Sequence, residues 1–182
     1  MLIKFKNHSP KLGQNVFVAE GAKIIGEIEI GDESSIWFNC VLRADVNFIK
    51  IGKRTNIQDL STVHVWHREF DEKGKLKDAG FPTIIGDDVT IGHNCVIHAC
   101  VIKNRVLIGM NAVIMDNALI EEDSIVGAGS VVTKGKKFPP HSLILGNPAK
   151  FVRELNDEEV SFLKQSALNY VDFKNEFLKD LQ

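Results

Sequence analysis

Three histidines in this sequence have the type and spacing that could bind a metal ion. His93 and His98 lie in the segment IGHNCVIH, and His64 ends the segment STVH. Neutral imidazole is a common ligand of divalent metals, and three such ligands beside one open coordination position are typical of a catalytic metal centre. A metal of this kind makes water a nucleophile near neutral pH. The fold must therefore bring three rings together that lie far apart in the chain.

The element that could do so is a repeat, because an aliphatic residue recurs at every sixth position through most of the chain. A period of six does not fit a helical turn of 3.6 residues, but it fits a short strand followed by a corner. We predict an all-β, hexapeptide-repeat solenoid of triangular coils, with the aliphatic residues inside. Glycine often follows the aliphatic residue, and we expect it to allow the turn. With three shifts of register, the aliphatic positions are Val18, Ile24, Ile30, Ile36, Leu42, Ile51, Ile57, Val63, Ile85, Ile91, Ile97, Ile102, Ile108, Ile114, Ile120, Val126 and Val132.

The register of the repeat places two of the histidines side by side. His64 and His98 each follow an inward aliphatic residue, so both face outward. If the segment at about 67–83, which carries glycine, proline and charge, is an ejected loop, His98 lies one full coil above His64. The two are then about 4.8 Å apart along the stack. His93 belongs to the adjacent face and could join them only across a contact between subunits of a threefold assembly.

The last part of the chain follows a different pattern. Asn156 and Glu159 form a capping-box pattern, and the apolar residues after them have a spacing of three and four. We predict a helix at about 157–180, which lies along the solenoid and covers apolar surface without a role in the chemistry. The chain then divides into a β-helix domain at 1–150 and a C-terminal helical segment at 151–182.

Composition excludes several classes of function. The chain has 22 basic and 24 acidic residues, so nothing favours a nucleic-acid partner. No stretch predicts a membrane span or a signal peptide. Three cysteines without framework spacing are typical of free thiols in a reducing compartment, and we expect a cytoplasmic protein. Cys40 and Cys95 are interpreted as interior packing, and Cys100 is a less favoured metal ligand than the histidines.

Further polar residues accompany the histidines. They are Arg43 and Asp45 in LRADV, and Gln58 and Asp59 in NIQDLSTVH. Together with IGHNCVIHACVI and NRVLIGMNAVIMDNALIEEDSIVGAGSVV, these motifs resemble the γ-class carbonic anhydrases and their bacterial relatives. The resemblance covers about residues 10–155 and implies that the solenoid is a left-handed parallel β-helix.

The resemblance also implies a homotrimer that hydrates CO2 reversibly to bicarbonate, by a hydroxide held on a metal at each subunit interface. The metal would be Zn²⁺, or alternatively Fe²⁺ or Co²⁺, with the three histidines as its ligands. Gln58 resembles the residue that orients the hydroxide. Arg43 and Asp45 resemble an ion pair across the interface, and Asp59 resembles a partner of arginine in the same network.

Two positions depart from the family pattern. Val46 and His67 stand where well-studied active members carry glutamates. Imidazole is the side chain that most often transfers protons in enzymes, so His67 could shuttle protons in place of the missing glutamate, as could Glu69, Asp71 or Glu72 in the ejected loop. The alternative is that all four are solvated loop residues.

Three functions therefore remain open. The first is a metal-dependent carbonic anhydrase. The second is an acyltransferase or thioesterase acting on acyl-CoA, which would share the solenoid but need one histidine base and a groove for the pantetheine arm. The third is a metal-binding scaffold without catalysis, which the two departures allow.

Overall fold

The computed structural model describes residues 1–180, which fold as a left-handed parallel β-helix with one C-terminal helix. The predicted fold class is therefore confirmed. Residues 181 and 182, at the end of the predicted C-terminal segment, lie outside the described residues. The coils stack strand on strand, and this gives the solenoid three faces.

The first and second faces belong to one twelve-stranded sheet, because two long strands turn the corner between them. Those two strands are Lys23–Ile30 and Val41–Ile51. The first face adds Leu2–Ile3, Thr62–His64, Val96–His98, Val113–Ile114 and Val131–Val132. The second face adds Lys11–Leu12, Thr83–Ile85, Val101–Ile102, Leu119–Ile120 and Lys137–Phe138.

The third face is an eight-stranded sheet. Its last two strands pair antiparallel and end the solenoid. The strands are Phe17–Val18, Ser35–Ile36, Asn56–Ile57, Thr90–Ile91, Leu107–Ile108, Ile125–Val126, Ser142–Gly146 and Ala149–Glu154.

The periodic aliphatic residues form the core, as predicted. All of them except Val18, which is half-buried, are almost fully removed from solvent. Each stacks on its counterpart in the next coil, as Ile97 does on Val63. This register is what converts a spacing in the sequence into a position on a face.

The expected role of the repeat glycines is wrong. The residues with positive φ at the corners are mostly Asn, Asp and charged residues, such as Asn94 and Asp88, and not the glycines that follow the aliphatic positions. At Gly92, an added Cβ would lie 2.8 Å from the backbone nitrogen of Met110 in the next coil. These glycines are therefore explained by the close approach of stacked coils, and not by a positive φ in the turn.

The predicted ejected loop contains an antiparallel hairpin of Glu69–Phe70 and Leu76–Asp78. Asn47 anchors its base, since its side-chain amide donates to the carbonyl oxygens of Trp66 at 3.0 Å and Ala79 at 2.8 Å. Asn47 is almost fully buried. The loop therefore leaves and re-enters the solenoid at a defined point.

The predicted C-terminal helix is confirmed at Asp157–Asp180. Its capping box is formed, with the Asn156 side chain and the Glu159 side chain each accepting from the other's backbone N–H at 2.9 Å. The helix packs on the third face, where buried Lys174 lies 2.8 Å from Glu33. Within residues 1–180, no helix has both the length and the apolar character needed to cross a bilayer.

Candidate metal centre

The first part of the site is a pair of stacked imidazoles at the corner between the first and second faces. His64 and His98 are register partners in neighbouring strands, as the repeat predicted. His64 Nδ1 lies 3.1 Å from His98 Nε2, and both side chains are partly buried. We call these two residues, with Arg43, Asp45 and Asp116, the two-histidine group.

Each ring of the pair is held by a carboxylate on its other nitrogen. Asp45 lies 3.0 Å from His64 Nε2, and Asp116 contacts His98 Nδ1. An ionised carboxylate only accepts hydrogen bonds, so in a neutral ring the nitrogen beside it carries the N–H and the nitrogen that faces the other ring carries a lone pair. Two lone pairs at this distance repel each other unless a cation or a proton lies between them. The donor chemistry therefore fits a divalent metal, and the carboxylate partners are those that metal-bound histidines usually have.

The electrostatics of the pair agree with neutral imidazole. Burial lowers the pKa of His64 below its ordinary value, although the hydrogen bond with Asp45 opposes the shift. Burial would raise the pKa of Asp45, but the hydrogen bonds from His64 and Arg43 outweigh it and leave this pKa lowered. A neutral ring and an ionised carboxylate are the forms that metal binding requires.

Sequence reasoning missed Asp116. It stands 18 residues after His98 in the chain. In a triangular coil of hexads, about 18 residues make one turn, so the residue at this spacing lies in the coil directly above. The spacing could have identified Asp116, but an acidic residue in a surface column is common in any solenoid.

The second part of the site lies at the other edge of the first face, at the corner with the third face. His93 stands in the turn between the strands Thr90–Ile91 and Val96–His98. Its Nδ1 lies 2.8 Å from Asp59 in the coil below. Gln58 is buried and faces, together with His93, a cavity of about 360 Å³ that is lined mostly by apolar and small residues. We call Gln58, Asp59 and His93 the glutamine–histidine group.

The structure thus divides the predicted residues into two half-sites on opposite edges of the first face. Within residues 1–180 of a single chain, no three His, Cys, Asp or Glu side chains are grouped so that they could hold a metal ion. His93 was expected on the adjacent face, and it stands in the corner turn where that face ends. Asp59 lies beside His93 within the chain, and its pairing with arginine in an interface network stays a prediction.

The remaining predicted residues have separate positions. Arg43 pairs with Asp45 inside the chain. His67 is half-exposed, lies 3.5 Å from Glu69, and stacks on Trp66 with 5.1 Å between ring centroids. It lines a second cavity of about 360 Å³ that also reaches Asp45. A proton path through His67 stays a prediction.

The cysteines are all buried and free. Burial raises the pKa of Cys40 to about 11 and that of Cys100 to about 12. A metal binds the thiolate, so a raised pKa disfavours Cys100 as a ligand. Packing accounts for these residues.

Large apolar side chains are exposed around both half-sites. Leu60 and Met110 lie at the corner with His93, and Val96 lies on the first face. Met115 follows Ile114, the register partner of Ile97, and Trp66 lies beside His98. Leu60 is 59% exposed. A surface with this many exposed apolar residues around polar groups is typical of a protein–protein contact.

Comparison with known proteins identifies the family. The model of a family described as dynactin subunit 5 matches residues 12–175. "Gamma carbonic anhydrase 2, mitochondrial" of Arabidopsis thaliana is 43% identical over 171 residues, which are 94% of this chain. The chain spans only 59% of the length of that relative.

Two further matches cover nearly the full length of both chains. "Carbonic anhydrase" of Geobacillus kaustophilus is 40% identical over 182 residues, which are 100% of this chain and 93% of that protein. The crystal structure of a hexapeptide transferase family protein from Anaplasma phagocytophilum has a TM-score of 0.88 at 39% identity, and the match covers 97% of this chain and 98% of that one. The chain therefore belongs to the hexapeptide-repeat family of the γ-class carbonic anhydrases.

Proposed function

We propose that this protein is a metal-dependent carbonic anhydrase, which hydrates CO2 reversibly to bicarbonate at three sites between the subunits of a homotrimer. One observation carries the proposal. The chain holds two imidazoles ready for a metal at one edge of its first face, and a third imidazole beside a buried glutamine at the opposite edge. Neither edge is a complete site alone. Relatives named carbonic anhydrase support the reaction.

A threefold assembly would join the two edges. In a closed ring of three identical subunits, the contact is heterologous, so one edge of each copy meets the other edge of its neighbour. The two-histidine group of one subunit then meets the glutamine–histidine group of the next. The exposed apolar residues Leu60, Val96, Met110 and Met115 supply surface for such a contact.

The metal would be held by His64 and His98 of one subunit and His93 of the next. Imidazole ligands suit Zn²⁺, and they also suit Fe²⁺ and Co²⁺, so the alternatives named above stay open. A divalent metal bound there supplies the Lewis acidity that makes water a nucleophile near neutral pH. Asp45 and Asp116 hold the two rings in the tautomers and orientations that binding requires.

Gln58 has the geometry of an orienting group. Its Nε2 donates to Asn56 Oδ1 at 3.1 Å, and its side-chain oxygen Oε1 accepts no hydrogen bond from any described residue. The side chain faces the cavity that His93 also lines, so this oxygen is free to accept a hydrogen bond from water or bicarbonate. The apolar and small residues around it suit CO2, which carries no charge.

Subunit complementation tests the shared site. His93→Ala and His98→Ala each remove one ligand from every site of their own trimer, so each alone is expected to lose most of its metal. In a mixed trimer of the two variants, one of the three contacts joins an intact two-histidine group to an intact His93. We expect about one metal per mixed trimer, against about three in the unmodified protein, measured on tagged mixed trimers by elemental analysis.

The reaction has its own test. Stopped-flow CO2 hydration by protein loaded with zinc, or with iron under anaerobic conditions, is expected to exceed that of metal-free protein.

Mixed trimers without metal would contradict the shared site. Metal binding without hydration would leave the scaffold as the function, and turnover of acyl-CoA by metal-free protein would favour the transferase.

A further inference from the structure

A buried chain of polar side chains runs beneath the C-terminal helix to Gln58. Ser166 on the helix lies 3.2 Å from the Thr90 hydroxyl, and Asn56 Nδ2 donates to that hydroxyl at 3.0 Å. Asn56 Oδ1 in turn accepts from Gln58 Nε2. All four residues are less than 10% exposed. This series of hydrogen bonds thus connects the helix with the half-site that contains His93.

The directions of these hydrogen bonds depend on one another. Because Asn56 uses its oxygen for Gln58, its nitrogen is the group that donates to Thr90. The Thr90 hydroxyl accepts there, which leaves its own proton available for Ser166 Oγ at 3.2 Å. Buried polar networks of this kind hold one arrangement because a buried donor or acceptor left without a partner is costly.

We propose that Ser166 is a positioning residue, which sets through Thr90 and Asn56 which end of the Gln58 amide faces the cavity. With Ser166 present, the Gln58 oxygen points to the cavity and its nitrogen points to Asn56. Without that acceptor, Asn56 is the described side chain that can still accept a hydrogen bond from Thr90, once its amide has turned by 180°. Asn56 then offers nitrogen to Gln58, and Gln58 turns its own nitrogen toward the cavity.

One local contact opposes the reversal. Asn56 Nδ2 also lies 3.4 Å from the carbonyl oxygen of Val89, which favours the present orientation. This bond is long and weak, so the stronger bond to Thr90 dominates. The helix therefore has a part in the site, which differs from its expected role as a cover only. The catalytic meaning of this orientation rests on the proposed function, but the orientation itself does not.

Nitrogen-15 NMR on protein labelled at glutamine tests the inference directly. The chain has four glutamines, Gln14, Gln58, Gln165 and Gln182, so few signals need to be resolved. The Gln58 amide signal is assigned by its loss in Gln58→Ala. In Ser166→Ala we expect the Gln58 NH2 signals to shift and to exchange with water about tenfold faster, because the amide nitrogen leaves a buried hydrogen bond.

Matched variants separate positioning from general loosening of the helix. Ser166→Thr keeps the hydroxyl and is expected to restore the original signals. Ser161→Ala makes the same change at an exposed serine of the same helix and is expected to leave them unchanged. Thr90→Val removes the Thr90 proton that drives the reversal and leaves the helix sequence unchanged, so adding it to Ser166→Ala should restore the original signals. If Ser166→Ala folds poorly, Ser166→Cys, whose sulfur is a weak acceptor, should shift the signals in the same direction.

Unchanged Gln58 signals in Ser166→Ala and Ser166→Cys would overturn the inference, and so would signals that move in Ser166→Ala but do not return when Thr90→Val is added. The kinetic arm uses the same proteins, where a reoriented amide should lower kcat for CO2 hydration with KM nearly unchanged. If the signals move but none of the proteins, unmodified chain included, hydrates CO2, the positioning role stands and the proposed function fails.

Discussion

At the scale of single residues, two carboxylates decide what the stacked imidazoles can bind. Asp45 and Asp116 each hold the outer nitrogen of one ring, so the inner nitrogens of His64 and His98 face each other with free lone pairs. A histidine pair without these partners could adopt the tautomer in which one ring donates to the other. That arrangement would occupy the atoms that a metal needs.

Asp116→Asn is therefore expected to weaken metal binding about 10–100-fold, because an amide does not hold the His98 tautomer as a carboxylate does. Competition with a chelator of known affinity measures this loss. Asp32→Asn is the matched control, since Asp32 is a corner carboxylate that pairs with Lys53 and lies outside both half-sites. Equal metal affinity in the two variants would contradict the role of Asp116.

At the scale of elements, the helix is joined to the solenoid by a buried charge. Lys174 is fully buried, and its ammonium lies 2.8 Å from Glu33 at a corner of the solenoid. The hydrogen bond from Lys174 is the main cause that lowers the pKa of Glu33, with Asn15 adding to the shift. The pair holds the helix over the third face, where Ser166 meets Thr90.

Replacing Glu33 and replacing Lys174 should change the free energy of unfolding by different amounts. Glu33→Gln leaves an ammonium buried without its counter-ion and is expected to lower the free energy of unfolding by about 1–3 kcal/mol. Lys174→Met removes the buried charge and keeps an apolar side chain. It should therefore lower the free energy of unfolding less than Glu33→Gln does, or even raise it. Urea denaturation of both variants measures the difference, and a larger loss in Lys174→Met would contradict this account.

The same pair predicts a pH dependence. The pKa of Glu33 is lower in the folded protein than its ordinary value of 4.5, so the ionised form stabilises the fold. This stabilisation is complete above about pH 4.5 and is lost as the pH falls through the folded pKa. The Tm difference between the unmodified protein and Glu33→Gln should therefore be largest near neutral pH and shrink below pH 4.5. A difference independent of pH would exclude this origin.

At the scale of the whole molecule, the exposed apolar residues around the half-sites need an explanation. Leu60 is the clearest case, because it stands in a corner with φ of 64°, where Asn and Asp are usual and a large aliphatic residue is unfavourable. Its side chain is 59% exposed, so the isolated chain gains little from it. Contact with a second subunit beside His93 would explain both features.

Leu60→Asn is expected to leave the single chain as stable as before or more stable, since Asn tolerates this backbone conformation. It should weaken the trimer by roughly 1–2 kcal/mol per contact, through lost apolar burial. Sedimentation across a dilution series measures the dissociation. Leu12→Asn, at an exposed leucine of the second face, is the control, and equal dissociation of both variants would refute the assignment of Leu60.

The sequence by itself determined the solenoid, its core and the pairing of His64 with His98. In a stack of equal coils, each residue advances by a fixed step, so a spacing of six or 18 residues translates directly into a position on a face. The helix and its capping box were equally readable, because both depend on residues close together in the chain. Asp116 follows the same rule, because its spacing of 18 residues from His98 places it in the coil directly above.

Only the tertiary structure decided which residues the helix buries and what surrounds Gln58. The contact of Ser166 with Thr90 joins elements 76 residues apart, and its position depends on how the helix docks, which no period in the sequence encodes. The corner position of His93 and the close stacking at Gly92 also depend on exact coil geometry. Local spacing determines register within a regular element, whereas packing between unlike elements depends on shape and on the few polar contacts that fit.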